Sequence, residues 1–178
     1  MKNQKGFTAW FTGLPCCGKT TIAKQVAEIL KEKGYYVEHL DGDIVRQGLT
    51  SDLGFSKKDR EENLRRVSFV AKLLTRNNII VLATFVSPYK ERRNKIREEI
   101  GDFVEIFVKC PIEECIRRDV KGMYKKALAG EIRDFTGIQD PYEESENPEL
   151  IIYSDKETVD ESVKRVLETL GELGYITP

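Results

Sequence analysis

A glycine-rich octapeptide at residues 13–20 limits the folds open to this chain more than any other segment. It reads Gly-Leu-Pro-Cys-Cys-Gly-Lys-Thr and matches the pattern Gly-x-x-x-x-Gly-Lys-Ser/Thr. An apolar, β-prone run (residues 7–12) precedes it, and a helical repeat of apolar residues (residues 20–33) follows it. Such a turn points backbone N–H groups inward at the positive end of a helix. The segment therefore predicts a loop that binds the phosphates of a nucleotide.

The predicted loop contacts ATP through its backbone and through two side chains. Lys19 is expected to reach the β- and γ-phosphates, and the Thr20 hydroxyl is expected to bind Mg²⁺. Pro15 lacks an N–H, but in other loops of this type the donors begin one residue later, so the loop keeps them. The predicted ATP contacts in this segment are Gly13, Leu14, Pro15, Cys16, Cys17, Gly18, Lys19, Thr20 and Thr21.

Two adjacent thiols, Cys16 and Cys17, lie within this loop. Cys17 is close to Lys19 and to a helix N-terminus, an environment that lowers the pKa of a thiol. We therefore hypothesise that oxidation or alkylation of Cys16 or Cys17 blocks nucleotide binding.

Strands and amphipathic helices alternate along the rest of the chain. Further strands are predicted at residues 35–40, 79–86, 103–109 and 150–153, with helices after Ser56, at residues 89–100 and 112–119, and after Thr158. The almost continuous apolar run at 79–86 is typical of a strand covered on both faces, so it is placed at the centre of the sheet. The order predicts one α/β domain over residues 1–178. Its expected fold is the three-layer P-loop NTPase fold, a parallel five-stranded sheet with helices on both faces.

Residues 120–148 depart from this alternation. They lack a long apolar period and contain the cations Lys121, Lys125, Lys126 and Arg133. A long segment of this kind inside a compact domain is usually functional or disordered. The clustered cations predict a mobile lid over an anionic substrate.

Composition argues against several other classes of protein. The 29 Lys and Arg residues nearly balance the 30 Asp and Glu residues, so no overall field attracts nucleic acid or an anionic membrane. No apolar run approaches the roughly 18 residues of a membrane span, and the polar N-terminus lacks a signal-peptide core, so we expect a cytoplasmic protein. Cys110 and Cys115 lack a second pair of ligands and are interpreted as packing residues rather than a zinc site. His39, the single histidine, has no partners for triad chemistry in the sequence.

The loop alone is compatible with an ATPase, a GTPase, a kinase or a nucleotide sensor. The chain lacks the Asn-Lys-x-Asp motif that reads guanine and is too short for the accessory domains of a motor, so a small-molecule kinase is favoured. Asp41 and Asp43 follow the second predicted strand, at the carboxyl edge of the sheet where ligands bind. A carboxylate there can accept a hydroxyl proton or hold Mg²⁺.

Longer motifs resemble those of one family. They are Leu40-Asp41-Gly42-Asp43-x-x-Arg46-x-Gly48-Leu49, Phe55-Ser56-x-x-Asp59-Arg60-x-Glu62-Asn63-x-Arg65-Arg66, Phe85-Val86-Ser87-Pro88-Tyr89, and Lys121-Gly122-Met123-Tyr124-Lys125-Lys126-Ala127 through Phe135-Thr136-Gly137-Ile138. Together with the loop they resemble the adenylylsulfate (APS) kinases over nearly the whole chain. The resemblance implies a Mg²⁺-dependent homodimer with ATP as co-substrate. It would transfer the γ-phosphoryl group to the 3′-hydroxyl of adenosine 5′-phosphosulfate, giving 3′-phosphoadenylylsulfate (PAPS) and ADP in sulfate assimilation.

The resemblance also implies how the substrate is held. Phe55 and Phe135 match aromatic residues that sandwich its adenine, and Arg46 and Arg60 match cations that hold its phosphosulfate. Phe55 as an ordinary core residue and Arg60 as an i,i+3 partner on a charged helix stay open as alternatives.

The chemical step is assigned to Lys19, Asp43 and Ser87. Asp43 is expected to contact the 3′-hydroxyl. Asp41 is expected either to support Asp43 or to hold the metal together with Thr20. Ser87 is interpreted as a hydrogen-bonding substrate ligand rather than a covalent phosphoserine, because in-line transfer needs only positioning, Mg²⁺ and charge stabilisation. By resemblance, the remaining substrate contacts are Asn63 and Lys125, and Arg118 lies near the adenine of ATP.

Two other functions stay open. The first is a kinase of the same fold that acts on another small hydroxylated metabolite. It would need a different acceptor pocket, because the paired arginines and phenylalanines suit an anionic nucleotide. A sensor without catalysis predicts the loss of Lys19, Thr20 or Asp43, and all three are present.

Overall fold

The computed structural model describes residues 4–177. Within them the strands are β1 (Phe7–Thr12), β2 (Val37–Asp41), β3 (Ile80–Thr84), β4 (Phe103–Lys109) and β5 (Leu150–Tyr153). The helices of this range are α1 (Lys19–Glu32), α2 (Gly42–Gln47), α3 (Lys57–Arg76), α4 (Lys90–Ile100), α5 (Ile112–Arg118), α6 (Met123–Leu128) and α7 (Val159–Glu172).

The strands form one parallel five-stranded sheet in the order β2-β3-β1-β4-β5. All strands point the same way, so the segments that follow them meet at one edge. The chain continues from β1 first to one side of it and later to the other, which creates the kind of crevice where α/β proteins bind ligands.

Two cores cover the two faces of the sheet. Side chains alternate along β1, so Phe7, Ala9 and Phe11 pack with α1 and α7, while Trp10 packs with α3 and α4 on the other face. The predicted three-layer α/β fold is therefore confirmed. No helix within residues 4–177 is both long and apolar enough to cross a membrane.

Some details of the prediction were wrong. β1, not the strand predicted at 79–86, is the middle strand; β3 is interior and all its residues are buried, which explains its apolar sequence. Helix α2 was not predicted, because it has only six residues and a single buried side chain, Val45. Its start is set by Asp41, whose side chain accepts a hydrogen bond from the Asp43 amide.

The predicted lid contains helix α6 and a series of turns. Its mobility stays a prediction. A buried ion pair holds its C-terminal end. Arg93 and Glu105 are 1% and 4% exposed, and Arg93 Nε donates to Glu105 Oε1 at 3.1 Å. The other two guanidinium nitrogens donate to the Ser87 carbonyl at 2.6 Å and the Glu143 carbonyl at 2.7 Å. One side chain of α4 thus joins β4, the loop after β3 and the lid.

Replacing Arg93 with Leu should lower the free energy of unfolding by about 3 kcal/mol, because it removes the buried cation beside the Glu105 carboxylate and leaves that charge to the more exposed Arg97, 3.3 Å away. Urea unfolding followed by circular dichroism measures this change. Lys90→Ala is the control, since it breaks an exposed ion pair with Glu146 and should cost less than about 1 kcal/mol. Equal losses in the two variants would contradict this assignment.

Candidate active site

The loop at residues 13–20 curves between β1 and α1 at the carboxyl edge of the sheet. Gly13, Cys16 and Gly18 adopt positive φ angles of 147°, 62° and 103°. A Cβ atom on Gly13 would lie 2.4 Å from the Val108 carbonyl oxygen, so only glycine fits there.

Lys19 lies inside the curve of this loop and is 8% exposed. Its Nζ donates to the carbonyl oxygens of Gly13 at 2.9 Å and Leu14 at 2.7 Å. The loop therefore holds the ammonium group in the concave face that the sequence predicts for phosphate.

Asp41 connects three elements beside the loop. Its Oδ2 accepts hydrogen bonds from the Thr20 hydroxyl at 2.8 Å and the Thr84 hydroxyl at 2.9 Å, and its Oδ1 accepts one from the Asp43 amide at 2.9 Å. Burial opposes ionisation of Asp41, but these hydrogen bonds outweigh it and hold the pKa of the carboxyl below its usual value. The hydroxyl of Thr20 and the carboxylate of Asp41 are hard oxygen donors side by side, a set that fits Mg²⁺.

Asp43 lies in the first turn of α2, and its side chain is 66% exposed. It forms an ion pair with Lys121 of the lid, 78 residues away in sequence. An accessible carboxylate thus stands near the phosphate loop with a lid cation against it.

Arg46, half-buried on α2, and the exposed Phe55 form a platform. The guanidinium carbon lies 4.3 Å from the centre of the Phe55 ring, and Nη1 donates to the Gly54 carbonyl oxygen at 2.9 Å. Phe55 is 62% exposed, so the alternative that it is a core residue is wrong.

Arg60 faces the lid rather than a partner on its own helix. Its Nη1 donates to the Thr136 hydroxyl at 3.0 Å, and its Nη2 forms an ion pair with Asp140. Neighbouring Phe135 packs edge-on against Tyr124, with ring centres 5.0 Å apart. The structure thereby brings Arg60 next to the segment that carries Phe135.

The polar groups of Ser87 and Asn63 are not brought to the surface of the site. Ser87 is 2% exposed, and its hydroxyl accepts from Trp10 Nε1 at 3.0 Å and donates to the Thr12 hydroxyl at 2.9 Å. Asn63 is 4% exposed, and its Oδ1 accepts from the Thr50 hydroxyl at 2.7 Å. In this arrangement both side chains support the site from beneath.

Two predicted contacts lie at the periphery. Arg118, at the end of α5, donates from Nη2 to the Ser154 carbonyl oxygen at 2.7 Å, beside the end of β5. Lys125 is exposed on α6. A cleft of about 710 Å³ between the lid and the ends of β4 and β5 reaches the loop at Leu14, but Lys19 and Asp43 do not line it.

Comparison with known proteins decides between the kinases of this fold. A sequence profile described as adenylylsulphate kinase matches residues 5–153. The chain belongs to the adenylylsulphate kinase family. An adenylyl-sulfate kinase of Halothermothrix orenii is 62% identical over 176 residues, covering 99% of this chain and 95% of that protein.

Solved structures of APS kinases agree with this assignment. An APS kinase of Mycobacterium tuberculosis in complex with AMPPNP and APS has a TM-score of 0.89 and 46% identity, covering 94% of this chain and 99% of that one. A hexameric APS kinase from Thiobacillus denitrificans has a TM-score of 0.76 and 37% identity, covering 97% of this chain and 30% of that one. The resemblance inferred from the motifs is confirmed.

Sequence reasoning for this APS kinase family member missed some residues of the site. Thr136 and Asp140 contact Arg60 from a segment about 80 residues away, so no local spacing links them. Tyr124 is buried and donates to the Pro15 carbonyl oxygen at 3.0 Å, joining α6 to the phosphate loop. The sequence offered one signal for this contact, since Tyr124 is an aromatic residue between the lid cations Lys121 and Lys125.

The expected low thiol pKa of Cys17 is wrong. Cys17 is fully buried, and burial raises the pKa of its thiol even though Lys19 acts in the opposite direction. Its Sγ lies 3.6 Å from Lys19 Nζ, so it packs beneath the loop. Cys16 is only half-buried and is left as the thiol to which the modification hypothesis applies.

We expect iodoacetamide to alkylate Cys16 first in the folded protein, since Cys17, Cys110 and Cys115 are buried. Intact-mass and peptide spectrometry after brief reaction, with and without urea, identifies the modified thiol. Rapid labelling of Cys17 in the folded chain would contradict this order.

Proposed function

We propose that this chain transfers the γ-phosphoryl group of ATP to the 3′-hydroxyl of APS, with PAPS and ADP as products. The supporting observation is the meeting of Lys19, the Asp41 and Asp43 carboxylates and the Arg46–Phe55 platform at one edge of the sheet. The Mycobacterium tuberculosis relative solved with AMPPNP and APS supports the same pair of substrates.

In the proposed reaction the residues of the loop orient the ATP phosphates. The backbone donors from Cys16 to Thr21 bind phosphate oxygens, and Lys19 turns from the loop carbonyls to the β- and γ-phosphates. The Thr20 hydroxyl and Asp41 would hold Mg²⁺, which, when bound, neutralises charge on the phosphates. Arg118 would border the adenine of ATP.

On the acceptor side, Asp43 accepts the hydrogen bond of the 3′-hydroxyl. It takes the hydroxyl proton as the bond from that oxygen to the γ-phosphorus forms and the bond from the γ-phosphorus to the bridging oxygen of ADP breaks. Lys121 releases Asp43 and, with Lys125, turns to the phosphates. Arg46 and Arg60 hold the phosphosulfate, and Phe55 and Phe135 contact the adenine. Asn63, which is buried and bonded to Thr50, supports the acceptor side from beneath. Ser87 positions the floor of the site through Thr12 and Trp10.

The proposed assembly and location follow the family resemblance. We retain a homodimer as the proposal, although the relative from Thiobacillus denitrificans is described as hexameric. A cytoplasmic location likewise stays a prediction.

Supplying APS with Mg-ATP should release ADP far faster than supplying gluconate, shikimate or a nucleoside monophosphate, because only APS matches the paired arginines and aromatic rings. A coupled ADP assay measures each rate. Turnover with a comparison acceptor but not with APS would overturn the substrate assignment.

Replacing Asp43 with Asn should lower kcat by about 100-fold or more, because the variant cannot accept the proton, while ATP affinity changes little. Initial rates give kcat, and titration with a non-hydrolysable ATP analogue gives affinity. Asp52→Asn removes another exposed carboxylate, paired with Arg66, and should leave both values unchanged. Equal losses of kcat and ATP affinity in Asp43→Asn would instead indicate a metal-holding role.

A further inference from the structure

A tight turn of the lid at residues 135–140 carries a carboxylate that the proposed reaction does not use. The Phe135 carbonyl oxygen accepts hydrogen bonds from the amides of Ile138 and Gln139, both at 3.1 Å, and of Asp140 at 3.2 Å. The Gly137 amide donates to the Asp140 carbonyl oxygen at 2.7 Å. Phe135 and Asp140 therefore belong to one internally bonded unit.

Two contacts fix the Asp140 side chain against the body of the protein. It forms an ion pair with Arg60 of α3, and its Oδ2 accepts a hydrogen bond from the Tyr89 hydroxyl at 3.0 Å. The Arg60 and Asp140 side chains are 14% and 23% exposed, so water screens this pair less than a surface pair. Burial opposes ionisation of Asp140, but the hydrogen bonds from Arg60 and Tyr89 keep its pKa below the usual value.

The orientation of Arg60 depends on this turn. Among residues 4–177, the buried Nε atom of Arg60 has no hydrogen-bond partner. The guanidinium is therefore oriented through its other nitrogens, by Thr136 and Asp140. Of these two contacts, only Asp140 supplies an opposite charge, which makes it the stronger restraint.

We propose that Asp140 is a positioning residue for APS, which orients Arg60 and fixes the turn that carries Phe135. This inference rests on the proposed function, in which Arg60 holds the phosphosulfate and Phe135 contacts the adenine. Asp140 then keeps the two halves of the APS site at a fixed separation. The Asp140 side chain contacts Arg60 and Tyr89, and the proposed reaction assigns neither of them to ATP. APS binding is therefore the property that we expect Asp140 to control.

Asp140→Asn keeps the shape of the side chain and removes its charge. We expect the KM for APS to rise about tenfold, the effect of losing one hydrogen bond between charged groups. The kcat and the KM for ATP should stay within about twofold of wild type, because neither depends on this pair. Asp140→Glu restores the charge and should recover part of the APS affinity. Initial rates of ADP release, with APS and Mg-ATP varied separately, measure these constants.

Glu144→Gln is a matched control, because it removes another lid carboxylate, which accepts a hydrogen bond from Lys109 Nζ at 2.8 Å. Its constants should equal those of wild type, and melting curves check that each variant folds. An unchanged KM for APS in Asp140→Asn would overturn the proposal. A lower KM would also overturn it, by showing that Asp140 competes with APS for Arg60.

A parallel rise in the KM for ATP, or the same rise in Glu144→Gln, would overturn the proposal as a general effect on the lid. Wild-type protein that releases no ADP with APS would overturn the proposed function and this inference with it. A flat response of Asp140→Asn on an active wild type overturns this inference alone.

Discussion

The carboxylate of Asp41 is the interaction on which the site depends. It receives hydrogen bonds from Thr20 of α1, Thr84 of β3 and the first turn of α2. One buried charge therefore sets the distance between the phosphate loop, the sheet and the helix that presents Asp43. Because three donors stabilise the ionised form, the group stays charged despite its burial. The two carboxylate oxygens of Asp41 that join these elements are also of the kind that Mg²⁺ prefers as ligands.

The lid is connected to the rest of the protein by contacts of different strength. At its C-terminal end, the buried Arg93–Glu105 pair and the Glu143 carbonyl form a desolvated network. At its N-terminal end, Lys121 pairs with Asp43, and both side chains are more than half exposed. Exposed ion pairs contribute little stability, whereas buried ones are costly to break. The Lys121–Asp43 contact is thus more easily exchanged for contacts with substrate than the Arg93–Glu105 network.

Much of this could be predicted from the sequence, because local patterns determine it. The phosphate loop needs a strand, a glycine-rich turn and a helix in immediate succession, and residues 7–33 contain all three. The order of the strands is different, since pairing depends on which faces bury one another, so β3 was placed centrally in error. The role of Asp140 and the burial of Cys17 were not predicted from the sequence, for a related reason. Each depends on neighbours far away in sequence, and no spacing rule describes such neighbours.

Hydrogen bonds connect Trp10 to the lid. It is the single tryptophan of the chain, it is fully buried, and its indole N–H donates to the Ser87 hydroxyl, which in turn donates to Thr12. Thr12 shares a 2.8 Å hydrogen bond with Tyr142 near the C-terminal end of the lid. Three successive hydrogen bonds thus link the chain's sole indole fluorophore to the segment that covers the site. Its emission is an intrinsic optical probe of that segment, and no label has to be introduced.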